Sequence, residues 1–334
     1  MDLTFSYPGR AEHVFLHIDG MHDHHTPDLH RMTPDGGGWT STLSVPDDLV
    51  SSYRVVPLDA SAAARFDTTA DPRSRWLGLM DSVVPHVLDH PAWYPPMPGS
   101  GASGRLIMPG APEQPGWAED DPVTWDEAEL DGRRLWTSGL RDAECLLVIS
   151  DGVTWAQTSL PAALERLRAS GRLPRLAVVA VDTRADRVTL LSRSEAYRTL
   201  ISDRVLPWAR TLVDVPPGRT VIAGESLGGL SAVDLVLRRP DAVQLAVATS
   251  GSFWFDDVAS EVRASGAPSG VRVHLSAGRG EGRNMPDHAA AVADALRGAG
   301  VPTSLDIGTH GHEMAGWTGA LTRGLVELLR RSTR

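Results

Sequence analysis

The chain has 334 residues, of which 42% are hydrophobic, enough for a large α/β domain and a smaller companion, each with its own core. Its formal net charge of −10 argues against nucleic acid or an anionic membrane surface as a partner. The single cysteine, Cys145, excludes an intramolecular disulfide and a thiol metal cluster, and its place in the apolar run Cys145–Ile149 predicts a buried strand position.

Met1 to Ser6 lacks a basic region followed by an apolar run, and no apolar stretch approaches membrane-spanning length, so the expected location is the cytoplasm. Every basic residue other than histidine is an arginine. An anionic substrate would therefore be held by guanidinium groups, whose planar fork suits carboxylate-like or catecholate-like oxygens.

Residues 1–122 read as an all-β, sandwich-like domain. Val14–Ile18, Trp39–Leu43 and Ser52–Val56 are short alternating runs separated by Gly, Pro and Asp. The histidine-rich stretch Met21–His30 reads as a polar loop, because its spacing fits no compact ligand set; no metal site is expected. Thr68 to Gly116, with Trp76 and Trp93, reads as irregular chain, and Pro96 to Gly104 as a loop without regular structure. The acidic run Glu119-Asp120-Asp121-Pro122 suggests the boundary.

Residues 123–334 change period. Trp125–Leu130 and Arg133–Ser138 flank Asp131-Gly132 as a hairpin. The apolar runs Leu146–Ile149, Leu176–Val181, Thr220–Ala223, Leu245–Ala248, Val271–Leu275 and Thr303–Ile307 alternate with helix-length segments. That pattern predicts a largely parallel sheet covered on both faces. Tyr197, Leu200, Ile201, Val205, Leu206 and Trp208 recur at helical spacing and are assigned to the core.

Within this domain Val221–Ala223 runs into Gly224-Glu225-Ser226-Leu227-Gly228 and then into a helix-forming segment closed by Pro240. In a chain with 32 glycines a bare Gly-x-Ser-x-Gly is a weak signal. The flanking strand and helix make it specific, because they place Ser226 on a tight turn with the next N–H groups open to an anion. A serine nucleophile needs a base and an acid, which follow it along the chain in α/β-hydrolases. His312 in Gly308–Glu313, after the last strand, is the expected base, with His310 the alternative; His274, inside a strand, and His288, at a helix start, are set aside. The acid is expected at Glu281, after the preceding strand, with Asp287 second, or no acid at all. Oxyanion donors are expected from the amides of Leu227 and of Val153 or Gly152; removing one such donor typically costs ~3 kcal/mol of transition-state stabilisation.

Several stretches together resemble the enterochelin (ferric enterobactin) esterases. They are Ser150–Gln157, Gly224–Ser231, Ser250–Trp254, Gly311-His312-Glu313 with Trp317 and Gly319, and, in the first half, Asp23-His24-His25 and Gln114–Trp117. The family often has aspartate where this chain has Glu313, and Val153-Thr154 differ from its usual residues. The resemblance implies a sandwich-like domain on an α/β-hydrolase that hydrolyses the cyclic trilactone of a catecholate siderophore in the cytoplasm. It implies no cofactor, with ferric iron present only as part of the substrate. Arg187, Trp155 and Trp254 are the expected substrate-binding residues, by charge and by stacking. The alternatives are a tailoring hydrolase or acyltransferase working through an acyl-serine, and a catalytically silent binding protein for a catechol ligand. Oligomeric state is not legible.

Overall fold

The computed structural model describes residues 1–22, 30–71, 74–75, 78–79, 103–118 and 121–330, together with the backbone of 92–93. Asp23 to Leu29, Trp76 and most of the Pro96–Gly104 stretch lie outside them, as do Glu119 and Asp120. The chain divides into two compact units. The first is Met1–Pro112 with Gly278–Gly282 and Gly308–Gly316; the second is Glu113–Ala277, Arg283–Ile307 and Trp317–Arg334.

The first unit holds the strands β1 (Asp2–Tyr7), β2 (His13–Ile18), β3 (His30–Arg31), β4 (Thr33–Asp35), β5 (Gly38–Ser44), β6 (Val50–Leu58), β7 (Ala92–Trp93) and β8 (Ser103–Ile107). They form antiparallel sheets in the orders β1-β5-β4 and β3-β2-β6-β8-β7. Alternation along β2 and β6 gives the larger sheet an apolar layer on each face. Val14, Leu16, Ile18, Tyr53 and Val55 pack with Phe5 of β1, which is the sandwich the sequence predicts. Phe15, Val56 and Leu58 pack with Ala63. Ala63 belongs to a helix, Ala60–Thr68, that corrects the all-β reading of this half. Asp59 caps it by accepting from the Ala62 amide at 2.8 Å, and the alanine-rich run then favours helix over strand.

The second unit is built on one sheet in the order β16-β15-β14-β13-β11-β12-β10-β9. Its strands are β9 (Asp126–Leu130), β10 (Arg133–Ser138), β11 (Cys145–Ile149), β12 (Leu176–Val181), β13 (Thr220–Glu225), β14 (Leu245–Thr249), β15 (Arg272–Gly278) and β16 (Thr303–Gly308). The strands from β11 to β15 pair in parallel, whereas β10 runs antiparallel to both β12 and β9. Every residue of β11, β12, β13 and β14 is buried, as strands between two helical layers must be. The β9–β10 turn takes positive φ at both central residues, 53° at Asp131 and 78° at Gly132, the twist a two-residue hairpin requires. Tyr197, Ile201, Val205 and Leu206 are buried as their spacing predicts, on two short helices joined by a wider π-helical turn at Leu200–Val205. Cys145 is buried at the start of β11, and burial pushes its thiol pKa up, away from reactivity. Among the described residues no helix is long and apolar enough to cross a membrane.

Candidate active site

Ser226 follows β13, inside the parallel part of the sheet, and opens the helix Leu227–Arg238. Its backbone sits at φ 58° and ψ −120°, a region a non-glycine residue enters at a cost of about 1–3 kcal/mol. Three hydrogen bonds fix it there. The Ser226 amide donates to the Thr249 carbonyl at 3.1 Å, and the Ser226 carbonyl accepts from the amides of Leu230 at 3.1 Å and Ser252 at 2.9 Å. The turn is tight enough that a Cβ on Gly224 would lie 2.5 Å from the carbonyl carbon of Gly228, so the glycine is obligatory. Ser226 Oγ lies 3.2 Å from Ser252 Oγ. Sequence reasoning assigned no role to Ser252; the Ser250–Trp254 stretch was its only signal.

The chain leaving β11 runs beside this turn. The Ser150 amide donates to the Ala223 carbonyl at 3.1 Å, and Ser150 Oγ is 2.7 Å from the Tyr197 hydroxyl. Asp151 then adopts a left-handed conformation, φ 56° and ψ 40°, and starts the short helix Gly152–Trp155. Leu227, Gly152 and Val153 thus all stand in the first turn of a helix, where amides lack an intrahelical acceptor. A Cβ on Gly152 would come 2.7 Å from the Ala180 carbonyl carbon, so only glycine fits under this loop.

A buried charge cluster underlies the loop. The Asp151 carboxylate accepts from Thr183 Oγ1 at 2.6 Å and from Arg187, through Nε at 2.9 Å and Nη2 at 2.8 Å. Arg187 therefore stands beside the expected oxyanion loop, with one edge of its guanidinium committed to Asp151. Trp155 is completely buried, and its indole N–H donates to Glu225 Oε2 at 3.0 Å. That burial corrects the expectation that Trp155 stacks on substrate: neither ring face is open. Burial, and next the nearby charge of Asp151, push the Glu225 carboxyl up to about 8.

The loops after β15 and β16 belong to the first unit. The Glu281 carboxylate is buried between two imidazoles, with Oε1 3.6 Å from Nδ1 of His310 and Oε2 3.6 Å from Nδ1 of His312. The histidines differ in access. The His310 side chain is 3% exposed and that of His312 is 30% exposed. A Cβ on Gly278 would sit 2.5 Å from His310 Nδ1, so glycine makes room for a packed ring. Asp287 is exposed in the first turn of the helix Met285–Gly298, where an acid complements the positive helix end.

Trp254 and Phe255 are the exposed aromatics of the second unit, at 37% and 46%, with ring centroids 5.9 Å apart. The Arg283 guanidinium lies over the Trp254 ring, 4.0 Å from its centroid. Arg283 carries no signal in the sequence, because nothing in its neighbourhood announces an aromatic partner on another loop.

A mostly parallel sheet carrying a serine on a strained strand-to-helix turn defines an α/β-hydrolase. The Esterase family model matches residues 135–328, and the model for the N-terminal domain of enterochelin esterases matches residues 3–117. The chain belongs to the esterase family, in its enterochelin esterase branch. It is 29% identical to an iron(III) enterobactin esterase of Escherichia coli over 94% of this chain and 86% of that one. It is 28% identical to an iron(III) enterobactin esterase of Dickeya dadantii, over 95% and 83%. Its fold is similar to that of the ferric enterobactin esterase of Salmonella typhimurium, with a TM-score of 0.85 over 98% of this chain and 93% of that one at 24% identity.

Proposed function

We propose that this esterase hydrolyses the lactone bonds of a cyclic catecholate trilactone of the enterobactin kind, in the cytoplasm, and so aids release of the iron that arrives with the substrate. The observation that carries the chemistry is Ser226 held at φ 58° between β13 and its helix. The substrate class is supported by the names of the relatives, which align along nearly the whole chain.

In this reading Ser226 Oγ attacks a lactone carbonyl and its proton passes to His312. Nδ1 of His312 faces Glu281, so Nε2 takes the proton while the carboxylate holds the ring. The amides of Leu227 and Val153, with Gly152 beside them, bind the oxyanion. When the ester C–O bond breaks, the departing alcohol takes the proton back from His312. Water, deprotonated by the same imidazole, then releases the acyl group from Ser226 as a carboxylate. Opening the ring removes the preorganisation that makes a six-oxygen cage tight, which lowers iron affinity without chemistry at the metal. The exposed Trp254 ring, with Arg283 over it, offers a stacking face and positive charge to an anionic aromatic ligand; Arg187, its charge offset by Asp151, keeps the other edge of its guanidinium for a hydrogen bond at the oxyanion loop.

Chromatography of trilactone digests tests this. Ser226→Ala is expected to give no linear trimer, dimer or monomer under conditions where the parent enzyme digests completely, while its circular dichroism is unchanged. Retained turnover would reject the nucleophile. An active enzyme that spares the trilactone and cleaves other esters would reject the substrate.

A further inference from the structure

Glu313 follows the proposed base directly in sequence, yet it is 7% exposed and its carboxyl group is fully engaged. Its partners come from β6 of the first unit. Ser51 Oγ and the Ser52 amide both donate to Glu313 Oε1 at 2.8 Å, and Ser52 Oγ meets Oε2. Ser52 Oγ also contacts Asp19 Oδ2 at 2.7 Å, and Arg54 Nη1 lies 2.5 Å from the same oxygen. Nε2 of His17 is 3.3 Å from Asp19 Oδ1. The rest of the loop is tied to the same region of the unit. The Val50 amide donates to the Thr309 carbonyl at 2.9 Å, and Thr309 Oγ1 donates to Asp48 at 2.7 Å. A Cβ on Gly311 would come 2.5 Å from the Asp19 carbonyl oxygen.

We propose that Glu313 is a positioning residue for His312, and that Ser51, Ser52 and Asp19 are the anchor through which the N-terminal unit sets the place of the histidine loop. The proposal rests on the assignment of His312 as the base. It gives the N-terminal unit a part in the reaction that needs no contact with substrate.

The anchor depends on a proton. Ser52 Oγ carries one hydrogen but faces two carboxyl oxygens, so one of the two contacts needs a hydrogen from a carboxyl group. Asp19, paired with Arg54, is the anion: burial alone would raise its pKa, but Arg54, His17 and the hydrogen bonds hold it well below the usual carboxylate range. Glu313 is the acid. Burial, then the charge of Asp19, push it up to about 7, against weaker opposition from Ser52 and Arg54. Loss of its proton leaves two buried carboxylates facing one hydroxyl; among the described residues Arg54 and His17 stand against Asp19, and the His22 ring packs on His17. The loop then loosens, and His312 with it.

The test is the pH dependence of kcat and kcat/KM on a soluble aryl ester and on the trilactone, from about pH 5 to 9, for the full-length protein and three variants. The parent enzyme is expected to lose kcat as pH rises through about 7, the range in which Glu313 ionises. Glu313→Gln keeps an acceptor for Ser51 and the Ser52 amide and supplies a permanent donor to Ser52 Oγ, so that alkaline loss is expected to vanish. Glu313→Ala is expected to lower kcat at least about tenfold with KM within about twofold, because the reacting group is misplaced rather than the substrate unbound. An alkaline limb unchanged in Glu313→Gln, its absence from the parent enzyme, or an alanine variant with parental kcat would overturn the proposal; should the alanine variant fail to fold, the glutamine profile decides alone. His312→Ala in the same assay separates the two levels: parental activity there removes the base assignment itself, whereas loss there with parental behaviour in both Glu313 variants removes only the anchor.

Discussion

Glu281 lies between two imidazoles at equal distance, and access separates them. A base must reach a proton on another group, and the His310 ring is enclosed by glycine backbone while His312 keeps an open edge. Sequence alone left both histidines standing because they occupy one Thr-His-Gly-His stretch; burial is a tertiary property that such a stretch does not encode. Trp155 shows the same gap from the other side. Its motif was readable, but a helix as short as Gly152–Trp155 has no periodicity from which to tell the inward face. At this scale Glu281→Gln is expected to lower kcat by about 10²-fold or more through loss of imidazole orientation, with Asp287→Asn within about threefold of the parent enzyme. Steady-state kinetics on the trilactone checks both, and the reverse ranking would move the acid to Asp287.

The elements of the second unit were legible because each strand is a short, wholly apolar run bounded by turn residues, and Asp131-Gly132 names its own hairpin. Those of the first unit were only partly so. β1 does alternate, with Leu3, Phe5 and Tyr7 on the packed side and Phe5 alone fully buried, but the helix Ala60–Thr68 is announced only by an alanine run behind Asp59. The last residue of β13 carries a consequence of its own. Glu225 is buried, and its Oε2 accepts the Trp155 indole N–H. Its carboxyl group, ordinarily near 4.5, is raised to about 8 in the fold, so the folded state holds its proton more tightly than the unfolded chain does. The stability this contributes is complete below about 4.5 and is lost as pH rises through about 8. Thermal melts of the parent protein and Glu225→Gln should therefore diverge with rising pH, the glutamine variant losing less Tm between about pH 6 and 9. Parallel melting curves would show that Glu225 is ionised in the fold at neutral pH.

The division of the whole molecule is not linear in sequence. Gly278–Gly282 and Gly308–Gly316, which carry Glu281 and His312, group with the N-terminal strands, whereas Ser226 lies in the second unit. A boundary drawn at one position along the chain cannot express that interleaving, and no local pattern links Glu313 to Ser52, 261 residues away. Composition acts on the whole molecule too: with arginine as the sole long cationic side chain, any positive charge offered to an anionic ligand would have to come from guanidinium groups such as that of Arg283. The central claim is that the Ser226 hydroxyl is activated by His312. Brief labelling with a fluorophosphonate, followed by peptide mass mapping, tests it most directly, because only an activated serine reacts readily. The adduct is expected on the peptide that contains Ser226, forming about 10³-fold or more slowly in His312→Ala. Labelling at another residue, or an undiminished rate without the His312 imidazole, would contradict the account.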